Sequence, residues 1–385
     1  MNLSISISIA KLAGWGSKTL ARRSGETITG RVLLSLHPHA LSELSQSKNK
    51  NGENFHIIAV SGSNGKTSTA RAITQLIKAS GFSVESNSTG SNLEWGVATT
   101  LMRARSSHPD FVVLEVDELH LTPVLKQVKC EYVLMLNLSR DQLHRMHEVK
   151  RVANRWREIV ESNPQTTFIG EIDDPFINYI LTHAGKKIAV STGGHPHPDG
   201  SICPESGDYL DWNGDNYSCS CGLSNRNHDI LIPAHSGVER NKALIQVLAD
   251  KYQLSFAKLD PSILSRKVEK VIDDHRLNLK LAKNPASWRE VLNSTTSSQV
   301  ILILNAREVD GYDTSWIWDI SFQTLRGKKI VVTGERGLDL YYRLHVEGID
   351  SSYAKNFYET LAHFESAEQI EVIAAYTAYF ELAEL

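Results

Sequence analysis

A loop that joins an apolar strand to a helix constrains this chain more than any other part of its sequence. The loop, 62–68, reads Gly-Ser-Asn-Gly-Lys-Thr-Ser; the β-rich run 55–60 precedes it, and 69–79 follows with apolar residues at helical spacing. Glycines let backbone N–H groups turn toward phosphate oxygens, and a helix N-terminus adds partial positive charge at the same point. The sequence therefore predicts a nucleotide-phosphate site between a strand and a helix.

Each residue type in the loop fits a role in holding phosphate. Lys66 should neutralise the outer phosphates, and the Thr67 hydroxyl should ligate magnesium. The spacing departs from the general phosphate-loop pattern, because Val60 and not glycine stands five residues before Gly65. The other loop residues expected to surround the nucleotide are Gly62, Asn64, Gly65 and Ser68.

Short β-rich runs alternate with helical patterns along most of the chain, which predicts an α/β fold built on parallel sheets. A stretch rich in Gly, Pro, His, Asp and Ser interrupts the series at 193–227 and reads as an insertion. A second alternating series begins near Leu254. The predicted domains are an N-terminal segment 1–53, a central domain 54–253 that carries the loop and the insertion, and a smaller C-terminal α/β domain 254–385.

Polar side chains follow two further strands of the predicted sheet. Glu115 is the favoured magnesium ligand, since carboxylates at the carboxyl edge of a parallel sheet lie where ligands collect. For Asp117 and Glu118 a solvated loop position is an equally good interpretation. Asn137 ends the next strand and is predicted to line the nucleotide site, although Asn near a helix start is often only a cap.

Composition excludes several classes of protein. With 41 basic and 44 acidic residues, the net charge of −3 gives no field that would steer the chain onto nucleic acid. No apolar run reaches the roughly 20 residues that span a bilayer, and positive charge follows the first apolar stretch instead of preceding it, unlike a signal peptide. Four cysteines in 385 residues indicate a reducing compartment. We expect a cytoplasmic protein.

The order of these motifs resembles the central ATPase domain of the Mur ligases and of the related folylpolyglutamate synthases. The resemblance rests on the loop, on segments 114–118 and 137–143, and on the Asp-Asp-Pro motif 173–175. C-terminal motifs Ala-Lys-Asn-Pro-Ala at 282–286 and Asp-Gly-Tyr-Asp-Thr-Ser-Trp-Ile-Trp-Asp at 310–319 resemble the MurT branch of that family. Members of this branch pair with a glutaminase subunit, GatD, and use ATP and glutamine to convert the D-glutamate of lipid II to D-isoglutamine.

The resemblance implies roles for individual residues. Lys66 and Thr67 would hold phosphate and magnesium, with Glu115 as a further metal ligand. Gln142 falls where other Mur ligases carry a metal-binding histidine, and Asp173 and Asn241 fall at nucleotide-contacting positions.

An aspartate of the 310–319 motif would complete the partner's catalytic triad. Asp313 is favoured over Asp310 and Asp319, and it would orient a histidine that activates a cysteine of the glutaminase. The chain shows no glutaminase of its own. Of Trp316 and Trp318, at least one is expected to serve in packing.

The resemblance also raises the question of zinc. The MurT branch carries two Cys-x-x-Cys pairs, whereas this chain has Cys203 with Ser206 in place of a second thiol, and a compressed Cys219-Ser220-Cys221. A closed zinc site needs four ligands, and the histidines that could supply the fourth are His195, His197 and His228. A loop without metal is the other interpretation. Cys130 is expected to pack as a small apolar residue.

Two other functions fit parts of the sequence. A Mur-type ligase that adds a free amino acid, like a folylpolyglutamate synthase, would share the loop but not the 310–319 motif. A scaffold that docks a glutaminase without catalysis would show no ATP consumption in the reconstituted pair.

Overall fold

The structure is a computed structural model that describes residues 2–21, 25–87, 91–140, 149–264, 268–365 and 369–385. Its described residues form two compact units. The first comprises those of 2–138 and 149–264, and the second comprises 139–140 and those of 268–385.

The first unit is built on a seven-stranded sheet in which every neighbouring pair is parallel, as the alternation of strand and helix predicts. The strand order is β2-β3-β1-β4-β5-β6-β9, so the phosphate loop follows a central strand. The strands are β1 (His56–Ser61), β2 (Val84–Ser86), β3 (Phe111–Glu115), β4 (Tyr132–Met135), β5 (Thr167–Glu171), β6 (Lys186–Ser191) and β9 (Ile230–Leu231).

Helices cover this sheet and supply its core. Apolar side chains of α4 and α9, among them Ile73, Leu76, Leu244 and Leu248, pack with the buried strand residues. Leu254, Leu259 and Leu264 join the same core. The helices of the first unit are α1 (Leu3–Ala21), α2 (Gly25–Leu36), α3 (Ala40–Ser45), α4 (Lys66–Ala79), α5 (Glu94–Ser107), α6 (Leu121–Leu125), α7 (Val149–Glu161), α8 (Pro175–Thr182) and α9 (Gly237–Lys251).

The N-terminal helices join the central sheet through α5. Backbones approach closely here, because a Cβ added at Gly30 of α2 would lie 1.8 Å from the Trp95 carbonyl oxygen of α5. The Arg31 guanidinium lies 4.7 Å from the Trp95 ring centroid, which adds a cation–π contact. Glycine at position 30 is therefore required for this packing.

The predicted insertion contains a small antiparallel hairpin, β7 (Asp211–Asn213) and β8 (Asn216–Ser218). Tyr217 fastens it to the main body, since its buried hydroxyl donates to the Ile172 carbonyl at 2.8 Å and accepts from the Asn178 amide at 2.8 Å. Burial raises the pKa of Tyr217 well above its ordinary value, so the hydroxyl keeps its proton.

The second unit has a six-stranded sheet of order β10-β11-β15-β12-β13-β14, with one antiparallel pair, β10 and β11. Asp273 and Asp274 turn this hairpin at φ values of 47° and 63°, a left-handed conformation that Asp tolerates. Its strands are β10 (Val268–Ile272), β11 (His275–Leu281), β12 (Gln299–Ile303), β13 (Lys329–Thr333), β14 (Ser352–Tyr353) and β15 (Gln369–Ala374). Its helices are α10 (Pro285–Asn293), α11 (Gly337–Val346), α12 (Phe357–Leu361) and α13 (Tyr376–Glu384).

Candidate functional site

The phosphate loop is held by an asparagine from the neighbouring strand. Asn137 follows β4, and its carbonyl oxygen accepts from the Ser63 N–H at 2.8 Å. Its side chain accepts from the Asn64 N–H at 2.9 Å and donates to the Asn64 carbonyl at 3.1 Å. Asn137 therefore fixes the shape of the loop from outside it.

Two glycines give the loop its turn. Gly62 and Gly65 have φ values of 147° and 85°, which residues with a Cβ rarely adopt. A Cβ at Gly65 would lie 2.1 Å from the side-chain nitrogen of Asn241, so α9 contacts the loop directly. The predicted nucleotide residues Gly65 and Asn241 thus lie together, and Ser68 lies partly exposed in the first turn of α4.

Lys66 lies buried under the loop with an acidic partner. Its Nζ donates to the Gly62 carbonyl at 2.6 Å and to Oε2 of Glu118 at 2.8 Å, and Glu118 is only 3% exposed. Glu118 is therefore part of the site, a role that the sequence left open between a ligand and a solvated loop residue.

Thr67 and Glu115 present the oxygens that magnesium prefers. The Thr67 hydroxyl donates to Oε1 of Glu115 at 2.9 Å, and the Asn92 amide approaches the same oxygen at 3.5 Å. The buried Asn87 side chain accepts from the Glu115 N–H at 2.7 Å and donates to its carbonyl at 2.8 Å. A hydroxyl and a carboxylate held together in this way fit a magnesium ion that also contacts phosphate.

The ion pair of Lys66 and Glu118 gives a prediction about stability. Glu118→Gln leaves a buried ammonium without its carboxylate, which should cost about 3 kcal/mol. Bound nucleotide would return negative charge to Lys66, so MgATP should raise the melting temperature more in Glu118→Gln than in the parent protein. Thermal unfolding with and without MgATP checks this, and the control is Glu85→Gln, which removes a partly exposed carboxylate paired with Arg103. Equal nucleotide-dependent shifts in all three proteins would contradict the assignment.

Asp173 is buried and already bound by neighbouring groups. Its carboxylate accepts from the hydroxyls of Ser191 and Thr192, from the Thr192 N–H at 2.6 Å and from the Asn225 side chain. These bonds fix the carboxyl ends of β5 and β6, which lie two and three strands from β1 along the sheet. Asp173 thus lies in a network that ties the insertion to the sheet, and its predicted contact with the nucleotide stays a prediction.

Asp174 connects the same edge to β4 and the insertion. It accepts from the Leu138 N–H at 2.7 Å and caps α8 at the Phe176 N–H, while His197 lies 3.4 Å away. Burial alone would raise the pKa of Asp174, but the His197 imidazole and these N–H donors hold it below its ordinary value. The same carboxylate outweighs burial at His197 and raises the pKa of that imidazole.

Gln142, the predicted counterpart of a metal-binding histidine, lies outside the described residues.

The three cysteines of the insertion converge. One sulfur from each of Cys203, Cys219 and Cys221 lies within 4.8 Å of the others, and the Ser206 hydroxyl lies 3.3 Å from the Cys219 sulfur. His195 contacts Glu171 instead, and His197 contacts Asp174. The cluster offers three of the four strong ligands that a closed zinc site needs, with a serine hydroxyl at the position of the missing thiol. Cys130 is buried elsewhere, and burial raises its pKa to about 12.

The contacts within the thiol cluster predict that alkylation of Cys219 depends on pH. Partial burial works against ionisation of Cys219, but hydrogen bonds from Ser206 and Cys221 lower its pKa to about 7, whereas that of Cys221 is raised to about 11, mainly by desolvation. Because the thiolate is the nucleophile, alkylation of Cys219 by iodoacetamide should rise as pH increases through about 7. Peptide mass spectrometry after timed labelling checks this, with Cys221 as the internal control. Ser206→Ala should move the midpoint upward, and an unchanged midpoint would exclude the serine contact as its cause.

The three candidate aspartates of the second unit lie in different environments. Asp310 is buried and accepts from the N–H and hydroxyl of Thr377 at 2.8 and 2.6 Å, which anchors α13. Asp319 is paired with Arg140 at 2.6 Å. Asp313 is exposed, accepts from the Ser315 N–H at 2.8 Å and borders a cavity of about 340 Å³. Asp313 is thus the aspartate of the three that lies at an open concave surface.

Exposed aromatic residues surround Asp313. Tyr312, Trp318 and Tyr342 line the same cavity and are 61%, 51% and 60% exposed, and Arg343 lies under the Trp318 ring at 5.3 Å. Trp316 is buried against Trp288 in the core, as expected for one tryptophan of the motif.

Comparison with known proteins agrees with this geometry. Residues 60–220 match the Mur ligase middle domain, and residues 281–379 match the MurT ligase C-terminal domain. The fold resembles a pseudomurein peptide ligase type C from Methanothermus fervidus, with a TM-score of 0.63, 15% identity, and 86% of this chain and 78% of that chain covered. It also resembles MurF from Acinetobacter baumannii, with a TM-score of 0.63, 17% identity, and 92% and 80% covered. Both matched domains are Mur ligase domains, and the chain has the fold of that family.

Within that family, the similarity to MurT subunits extends over nearly the whole chain. The chain is 24% identical to the lipid II isoglutaminyl synthase (glutamine-hydrolyzing) subunit MurT of Staphylococcus aureus strain N315, covering 89% of this chain and 88% of that protein. It is also 24% identical to the subunit of the same name in Streptococcus pneumoniae strain ATCC BAA-255/R6, covering 100% and 97%. These matches confirm the family predicted from the motifs. Among the described residues, no helix has the length and apolar character to cross a bilayer.

Proposed function

We propose that this chain amidates the α-carboxylate of the D-glutamate in lipid II, consuming ATP and using ammonia from a glutaminase partner. The observation that supports this proposal most directly is the arrangement of Lys66, Thr67 and Glu115 around one phosphate loop. The similarity to MurT subunits over the whole chain supports the same reaction.

The proposed reaction has two steps that balance. An oxygen of the substrate carboxylate attacks the terminal phosphorus of ATP, and ADP leaves. The nitrogen of ammonia then attacks the acyl carbon, inorganic phosphate leaves, and the amide nitrogen loses a proton to solvent. The carboxylate cannot react with ammonia directly because its oxygen is a poor leaving group.

The loop residues would act by position and charge. Lys66 would exchange its contact with Glu118 for the outer phosphate oxygens, and the fixed N–H groups of the loop would stabilise charge on the transferred group. Thr67 and Glu115 would hold magnesium, which when bound neutralises phosphate charge. Asn241 would contact the nucleotide beside Gly65.

The proposed partner is a glutaminase subunit of the GatD type, docked on the surface around Asp313. An exposed carboxylate among exposed aromatic side chains fits an interface whose rings supply contact area while the carboxylate reaches the partner. Asp313 would orient the histidine that activates the partner's cysteine. Because lipid II is lipid-linked, the complex would act at the inner face of the cell membrane. A zinc ion held by Cys203, Cys219 and Cys221 would have a structural role and no part in the reaction.

An isotope experiment tests the reaction. The chain and its glutaminase would be incubated with MgATP, glutamine and lipid II that carries ¹⁸O in the D-glutamate α-carboxylate. One ¹⁸O should appear in inorganic phosphate for each amide formed, since the carboxylate oxygen leaves with the phosphoryl group. Phosphate without ¹⁸O would exclude carboxylate activation by phosphorylation. Product formed from free glutamate in place of ammonia would instead indicate an amino-acid ligase.

A further inference from the structure

The first helix presents an apolar stripe to solvent on the side opposite its packed face. Leu3, Ser6, Ala10 and Gly14 are buried, and α1 packs on α2. The exposed side carries Ile5, Ile9, Leu12 and Trp15, which are 54%, 41%, 68% and 70% exposed. Spacings of four, three and three residues place these side chains along one side of a helix.

Ser8, on the exposed side of α1, has its hydroxyl bonded by the helix itself. This hydroxyl donates to the Ser4 carbonyl at 3.1 Å. A hydroxyl that is bonded within its own helix costs less to remove from water than an unbonded one. The exposed face is thus more apolar than its sequence suggests.

The stretch of sequence that contains this stripe carries only positive charge. Residues 1–25 include Lys11, Lys18, Arg22 and Arg23 and no Asp or Glu, although the whole chain has a net charge of −3. Lys11 is exposed on α1, one helical turn before Trp15 at the border of the stripe. Apolar residues with a tryptophan, flanked by basic residues, are typical of helices that lie in the interface of an anionic bilayer.

We infer that α1 is a membrane-surface anchor, whose stripe of Ile5, Ile9, Leu12 and Trp15 enters the boundary between headgroups and acyl chains of an anionic bilayer. A protein partner fits less well, because a stable interface takes about 20–30 residues a side and α1 offers four apolar side chains on one convex helix. A bilayer needs no shape complementarity. The inference rests on the proposed function only for its purpose, which is to hold the enzyme where a lipid-linked substrate lies.

Flotation of the full chain with vesicles tests the anchor without any substrate. The vesicles would contain phosphatidylglycerol and phosphatidylcholine, with pure phosphatidylcholine as the neutral comparison. The parent chain should float with anionic vesicles, and Ile5→Ser, Leu12→Ser and Trp15→Ser combined should lower partitioning by at least about tenfold, because binding scales with buried apolar area. Lys11→Gln should lower it by about fivefold in low salt.

A matched control removes exposed apolar side chains elsewhere. Leu231→Ser with Val271→Ser should float like the parent, since these residues are 52% and 71% exposed but lie far from α1 in sequence. No flotation of the parent, or equal flotation of the triple variant, would overturn the anchor. A triple variant that changes sedimentation mass but not flotation would assign the stripe to a second copy of the chain and overturn it as well.

The flotation result does not depend on whether the chain catalyses amidation. Flotation without amidation would refute the proposed reaction and leave the anchor intact. Amidation of lipid II in detergent micelles that persists in the triple variant, together with at least about tenfold slower amidation in anionic vesicles, is the result expected if both are right.

Discussion

Lys66→Ala should lower the kcat of lipid II amidation by about 10³-fold, because it removes the buried cation that would face the transferred phosphate. Its Nζ lies 2.6 Å from the Gly62 carbonyl, within the loop that would surround the nucleotide. Phosphate release in the reconstituted pair, with lipid II and MgATP, measures the loss. Lys78→Ala, an exposed lysine near the end of the same helix, should retain full activity.

A second variant separates catalysis from folding. Lys66→Ala alone leaves the buried Glu118 carboxylate without its partner and should lower stability by about 3 kcal/mol. Lys66→Met combined with Glu118→Gln removes both charges and should recover most of that stability. Activity should not return with it. An active double variant would show that the lysine serves the fold and not the reaction.

Asp313→Ala should stop glutamine-driven amidation while leaving ammonia-driven amidation intact. An aspartate that orients a triad histidine is worth about 10³- to 10⁴-fold in rate, so glutamine hydrolysis by the complex should fall by that order. Ammonium chloride supplies the nucleophile directly and bypasses the partner's reaction. Glutamate release and amide formation, measured with each nitrogen source, check the two halves separately.

The neighbouring aspartates provide matched controls. Asp319→Ala loses an ion pair with Arg140 that is partly exposed, and should retain both activities. Asp310→Ala removes the anchor of α13 and should lower the stability of the protein. It should therefore lower the glutamine-driven and the ammonia-driven activity alike. If Asp319→Ala loses the glutamine-driven reaction and Asp313→Ala keeps it, Asp319 and not Asp313 orients the histidine of the triad.

The sequence predicted the parts of the fold that follow simple patterns. The loop and its flanking strand and helix were predictable because each has its own local signal: glycines, an apolar run and helical spacing. The predicted run 55–60 corresponds to β1, His56–Ser61, within one residue at each end. β1 is buried along nearly its whole length and α4 is buried on one face, so each has a clear apolar pattern.

Elements with less regular burial were missed. Helix α5 has buried residues from Gly96 to Met102 without a polar face, so it lacks an amphipathic period. The hairpin of β10 and β11 was missed because its turn uses Asp273 and Asp274 instead of the glycine that usually marks such a turn.

Within the site, the sequence located the loop but not its network. Glu118 could not be assigned, because nothing local distinguishes a carboxylate paired with a distant lysine from a solvated one. Asn137 was selected for its place after a strand, yet its actual contacts depend on how β4 lies beside β1. The only indication was positional: Glu118 lies in the loop three residues after β3 ends, at the sheet edge that also carries the phosphate loop.

The close approach of α2 to α5 at Gly30 means that the first 53 residues are not a detachable tail. Leu33, Leu41 and Leu44 are fully buried, and α2 and α3 pack against α5. Removing this segment would expose to water the face of α5 that packs on α2 and α3, and should promote self-association. Truncated versions intended for crystallisation should therefore begin before α1 and not at the strand that leads into the loop.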